Sequence, residues 1–166
     1  MRFKIGDSVV HLAHGLGQIV NLEEKRLFGA DARLYYEVVT QKNTVWVPVD
    51  SQAGSTLRSI TAKSELNLFE QIFRRKPEPL NKDHRMRQAE LNERLKPGSF
   101  QALCEVVRDL TAHGWRKPLS DADAALLRRI HDNLCQEWAM AAGLTVAEVD
   151  QQISRLLLEA KHVHQA

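Results

Sequence analysis

No stretch of this sequence approaches the ~18 consecutive apolar residues that a membrane-crossing helix needs. Its opening, MRFKIGD, is strand-like and has no apolar core of a leader peptide. A soluble, cytoplasmic protein that avoids membranes is therefore expected. Cysteine is almost missing: Cys104 and Cys135 stand alone, at apolar positions of predicted helices and outside any CxxC pair. That excludes a disulfide framework and points to two buried, free thiols in a reducing compartment. An excess of one charge is lacking too, since 23 Lys and Arg face 21 Asp and Glu for a net +2. Bulk electrostatics thus announce no nucleic-acid partner. A phosphate-cradling loop, a nucleophile with a nearby base motif and a metal-ligand set are likewise absent from the pattern, which argues against an enzyme or a cofactor. His11 and His14 stand three apart on a strand-to-turn path, a spacing not expected to bring two imidazoles together, so no metal is expected there.

What the sequence does contain is a change of rhythm near residue 60. Before it, apolar residues alternate in short runs: Val9-Val10, Leu16 to Val20, Tyr35 to Val39 and Val45 to Val49. After it, they recur every three or four positions between helix caps. A period of two denotes strands and one near 3.6 denotes helices. The fold class expected is α+β in two domains: a small SH3- or Tudor-like β-barrel over residues 1–60, then a helical bundle over 61–166 with a connecting helix and linker at 61–80. About 60 residues is marginal for a domain alone but sufficient if the barrel closes.

In the first part, Gly15 and Gly17 bracket a tight reversal, where positive φ or close backbone approach favours glycine. Phe28 to Asp31 forms the next loop. Leu34 to Thr40 and Thr44 to Val49 read as a hairpin around Gln41-Lys42-Asn43, and Leu57 to Ile60 as a short closing strand. Pro48 cannot donate to a ladder, so its strand runs along an edge or leaves the sheet. With Val45 and Val47 inward, Trp46 should point outward, either as a contact anchor or as a cover for the junction with the helices.

In the second part, Ala62 to Phe73 has an apolar face and ends at Pro77-Glu78-Pro79. Asp83 to Leu95 is polar and basic, and Lys96-Pro97-Gly98 stops it. Ser99, the Ser120 to Asp123 box and the Thr145 to Glu148 box open three striped helices, with Gly143 ending the second. Lys161 to Ala166 reads as a frayed tail with His162 and His164 exposed. The interval Arg74 to Lys96 holds eight basic residues against four acids. With so few apolar residues, the Asp83 to Leu95 helix is expected to lie across the bundle, leaving Arg85, Arg87, Arg94 and Arg74-Arg75-Lys76 open to phosphate.

Taken in order, Phe3-Lys4-Ile5-Gly6-Asp7-Ser8-Val9-Val10, His14-Gly15-Leu16-Gly17-Gln18-Ile19, Val45-Trp46-Val47-Pro48-Val49, Leu57-Arg58-Ser59-Ile60, Leu95-Lys96-Pro97-Gly98, Glu105-Val106-Val107-Arg108-Asp109-Leu110 and Leu119-Ser120 carry a resemblance. The ordered set resembles the CarD/CdnL family of bacterial transcription regulators, and the β part alone is similar to the polymerase-binding module of transcription-repair coupling factors. The resemblance implies a Tudor-like domain that binds the β subunit of RNA polymerase, through Lys25, Arg26 and the strand Thr44, Val45, Trp46, Val47 and Pro48. Lys25 is placed in the loop after the second strand. It also implies a helical domain that stabilises the promoter open complex through weak DNA contacts, here Lys82, His84, Arg85, Arg87 and Arg94, in a monomeric protein. The family's DNA-wedging tryptophan falls at His84, a departure that predicts a weaker or absent wedge. On the same alignment Trp115 is no substitute. A second reading is a stand-alone nucleic-acid-binding protein independent of polymerase, marked by tight, steeply salt-dependent binding to free DNA.

Overall fold

The structure is a computed structural model that describes residues 2–27, 29, 31–50 and 56–165. Of the loop expected at Phe28 to Asp31, Phe28 and Ala30 lie outside the described residues. The chain divides into two compact units, Met1–Ile60 and Thr61–Ala166.

The first unit is an antiparallel sheet of β1 (Ser8–His11), β2 (Gly15–Lys25), β3 (Arg33–Thr40), β4 (Thr44–Pro48) and β5 (Leu57–Ser59), in the order β4-β3-β2-β1-β5. Alternation sends Val9, Ile19, Tyr36, Val38, Val47 and Leu57 into one core, with Phe3 edge-on to Tyr36. The Phe3 backbone N–H donates to the Tyr36 hydroxyl at 3.2 Å, which satisfies that hydroxyl inside the core. Gly15 takes the left-handed conformation, φ 78°. Gly17 serves packing instead. A Cβ there would lie 2.8 Å from Val38 Cγ1 and 3.0 Å from the Val39 carbonyl oxygen. The β2–β3 register shifts between Ile19 and Asn21, a bulge that lets the long second strand bend.

The second unit holds a short 3-10 helix, Lys63–Glu65, then α1 (Leu66–Arg74), α2 (His84–Leu95), α3 (Phe100–His113), α4 (Asp121–Ala142) and α5 (Val146–His164). The helix expected from Ala62 thus begins as a 3-10 turn. Side chains of Asp83, Ser99, Ser120 and Thr145 each accept a backbone N–H three residues on, and Gly143 ends α4 at φ 70°. Phe73, Phe100 and Trp138 form the aromatic centre of the core, around which α3, α4 and α5 pack their apolar stripes. Thr61 donates its backbone N–H and its hydroxyl to the buried Glu137 carboxylate at 3.0 and 2.8 Å, anchoring the start of the unit to α4. The expected frayed tail is instead helical through His164. A His164 ring nitrogen lies 3.1 Å from the Arg74 carbonyl oxygen, and Gln165 donates to the Trp115 carbonyl.

Helix α2 buries a single leucine, Leu91. One such side chain contributes only about 2 kcal/mol, so most of what holds this helix down is polar. Arg87 is 6% exposed and pairs with Asp123, itself 1% exposed, at the start of α4. Its Nη2 lies 2.8 Å from Asp123 Oδ2, and its Nε donates to the same oxygen at 3.0 Å. Arg94 reaches the buried Asp109 of α3 at 2.6 Å. Arg108 donates to the other Asp109 oxygen at 2.8 Å, and the Glu78 backbone N–H joins them at 3.0 Å. Two buried aspartates therefore fasten α2 and the Pro77–Pro79 segment to the bundle.

Candidate functional site

The first surface is the free edge of the sheet. Among the described residues β4 pairs only with β3, which leaves its other side as an edge of the sheet. Val45 and Val47 face the core, while Trp46 points outward, 38% exposed and opposite Glu37 of β3. Lys25 is the last residue of β2, not part of a loop as expected. Its ammonium stands 4.0 Å from the Trp46 ring centroid and 3.6 Å from a Glu23 carboxylate oxygen. A cation over an indole face at this exposure contributes about 0.5–1 kcal/mol, enough to bias the ring's orientation. Thr44 and Arg26 are exposed nearby in sequence, and Pro48 ends the strand, where a missing donor costs nothing.

The second surface is cationic and belongs to the helical unit. Lys82, His84 and Arg85 are exposed at the N-terminal end of α2. Arg87 is not available as expected, because it is buried against Asp123, and Arg94, 28% exposed, is paired with the buried Asp109. The Arg87 guanidinium also donates to the Asn81 and Lys82 carbonyls and lies 3.3 Å from His84 Nδ1. Burial acts to raise the Asp123 pKa, but hydrogen bonds from Arg87 and Ser120, the Arg87 charge and a hydrogen bond from Gln88 outweigh it. The carboxyl ends up below its ordinary value.

Beside α2 lies a cleft of about 540 Å³, built from the Lys76–Lys82 segment and the end of α3. Trp115 is half-buried in its wall, and Lys76, Lys82, Arg116 and Lys117 line it. Sequence reasoning set Trp115 aside and did not single out Arg116 and Lys117. Only the approach of the α3 C-terminus to the linker brings them next to Lys82. His113, in the same wall, has its pKa lowered by burial first and then by the Arg87 and Lys117 charges, with Asp123 opposing.

Two titratable clusters depart from expectation. His11 and His14 do come together, with ring centroids 4.7 Å apart, because the turn folds His14 back over the end of β1. Burial and then the His14 charge lower the His11 pKa. His131, Cys135 and Asp150 form a second group that the sequence pattern hid, since Asp150 arrives from the next helix.

The structure thus presents a small β unit with a tryptophan-bearing edge and a helical unit with a cationic cleft. The comparisons give that pair a family. Residues 3–61 match the CarD-like/TRCF RID domain, and residues 68–154 match the CarD C-terminal domain. The chain belongs to the CarD-like transcription-factor family. Both matched domains are those of transcription factors rather than enzymes, and the first is of a type linked to RNA polymerase interaction in general. The chain is also 27% identical, over 89% of its length and 97% of the relative's, to YdeB of Bacillus subtilis (strain 168), whose name gives it as a candidate transcription factor. Among the described residues, no helix is long and apolar enough to cross a membrane.

Proposed function

We propose that this protein is a transcription regulator that docks on the β subunit of RNA polymerase through β4 and steadies the promoter open complex through its helical unit. The observation that carries the reading is the β4 edge with Trp46 outward and Lys25 against its ring. A partner strand can extend such an edge by backbone hydrogen bonds, with Thr44, Trp46 and Arg26 setting which strand is accepted. Lys82, His84 and Arg85, joined by Lys76, Arg116 and Lys117 around the cleft, supply phosphate contacts without base readout. Their free-DNA affinity is modest, and tethering to polymerase supplies the effective concentration. Trp115 offers a flat apolar surface beside these cations, whereas the imidazole of His84 offers less area for propping a base step. The proposed protein acts as a monomer.

Titrating purified polymerase β subunit with the full chain tests this. Binding that Trp46→Ala weakens supports the reading. A lack of binding, with tight and steeply salt-dependent binding to free DNA instead, would move the function to a stand-alone nucleic-acid binder.

A further inference from the structure

Outside both surfaces, α4 and α5 bring together an imidazole, a thiol and a carboxylate. His131 and Cys135 are one helical turn apart on α4 and share a face. Gly143 then reverses the chain through its left-handed conformation, and α5 returns with Asp150 in its first two turns. His131 Nε2 lies 3.3 Å from Asp150 Oδ1, Cys135 Sγ lies 3.8 Å from each ring nitrogen, and all the ligand atoms fall within 4.8 Å of one another. Around a tetrahedral ion with bonds of ~2.0–2.3 Å, neighbouring ligand atoms stand ~3.3–3.6 Å apart. The His131–Asp150 gap of 3.3 Å is at that spacing and the His131–Cys135 gap of 3.8 Å just above it, before any ligand has turned toward an ion.

We propose that His131, Cys135 and Asp150 form a binding site for a borderline-soft divalent cation of the zinc type, clamping α4 to α5. A surface ion pair would use only His131 and Asp150. With the sulfur within 4.8 Å of both the imidazole and the carboxylate ligand atoms, the group is a three-ligand set of the mixed N, S and O kind that favours such ions over magnesium or calcium. Cys135 is 2% exposed and His131 half-buried, while Asp150 is open to solvent, so the ion enters and keeps its fourth position on the Asp150 side. Burial first, and then Asp150 and Asp132, push the Cys135 thiol up to about 12. The metal-free thiol is therefore protonated. The incoming cation replaces that proton, which leaves to solvent as the metal–thiolate bond forms, and the carboxylate that opposed a bare thiolate then binds the ion.

The test titrates cobalt(II) into the reduced, metal-free full chain and follows the sulfur-to-cobalt charge-transfer absorbance. The expected result is a one-to-one band that zinc displaces, that Cys135→Ser abolishes and that Cys104→Ser leaves intact. Asp150→Asn should weaken cobalt binding about tenfold or more. Cobalt held by the His11–His14 pair would give no sulfur band, so the readout separates the two places. Absence of the band, or its survival in Cys135→Ser, overturns the proposal. If Cys135→Ser does not fold, His131→Gln carries the same test. There, an unchanged cobalt affinity overturns the site and a loss of about tenfold or more supports it.

Discussion

Replacing Arg87 with alanine should unfold the helical unit more readily instead of merely weakening a DNA contact. In the folded protein Arg87 is 6% exposed, neutralises Asp123 at 2.8 Å and donates to the Asn81 and Lys82 carbonyls at 3.0 and 3.2 Å. Alanine leaves Asp123 buried with only side-chain hydrogen bonds from Ser120 and Gln88 to stabilise its charge. Removing one partner of a buried ion pair costs about 3–5 kcal/mol. For a unit of this size, that is a fall in melting temperature of roughly 10–20 °C. The measurement is thermal and urea unfolding followed by the helical circular dichroism signal, with Arg85→Ala as the exposed control, expected within about 0.5 kcal/mol of wild type.

The same pair fixes the sign of the pH dependence. Asp123 has a folded-state pKa below its ordinary 3.8, the net outcome of burial raising it and of hydrogen bonds from Arg87 and Ser120 lowering it further. A depressed carboxylate stabilises fully above its unfolded pKa, and that contribution is lost as pH falls through the lower folded value. The gap between wild type and Arg87→Ala should therefore be complete at neutral pH and narrow in strong acid. An Arg87→Ala protein that melts like wild type at neutral pH would refute the reasoning. If it also lost open-complex support, the guanidinium would belong on the DNA-facing surface.

Trp46→Ala should weaken binding to polymerase β subunit by about 30-fold, the scale of a central aromatic hot spot, in a calorimetric titration. The helical unit's melting should not move. Lys82→Ala with Arg85→Ala should shorten open-complex lifetime in promoter-melting kinetics, and should lower the salt slope of DNA binding by about 2 if each contacts one phosphate. Polymerase affinity should be unchanged by that pair. Gly17→Ala should destabilise the β unit by about 1–3 kcal/mol in urea unfolding, because Val38 Cγ1 and the Val39 carbonyl oxygen stand 2.8 and 3.0 Å from the new methyl.

The strands were legible because short apolar runs, several with their buried face in a period of two, stand between turn residues. Thr44–Pro48 is the clearest case, with Val45 and Val47 inward, Trp46 outward and Pro48 at an end that needs no donor. The striped helices were legible through their caps, and Ser99, Ser120 and Thr145 each accept the hydrogen bond that their spacing foretold. Helix α2 misled because a charge on a polar helix reads as solvated until its partner is known. The partners of Arg87 and Arg94 lie 36 and 15 residues away, on α4 and α3. One local signal did exist. Arg87, Leu91 and Arg94 follow at i, i+4 and i+7, so both arginines share the face of the helix's one buried leucine, whereas Arg85 does not. A basic helix with one buried leucine can turn arginines to that side only if carboxylates meet them, and Asp109 and Asp123 sit among the mostly apolar buried residues of α3 and α4. An acid on the wrong side of one helix and a cation on the wrong side of another are jointly the mark of a buried pair. Neither is informative alone, which is why the cationic surface shifts in the folded protein toward Lys82, Arg85, Arg116 and Lys117.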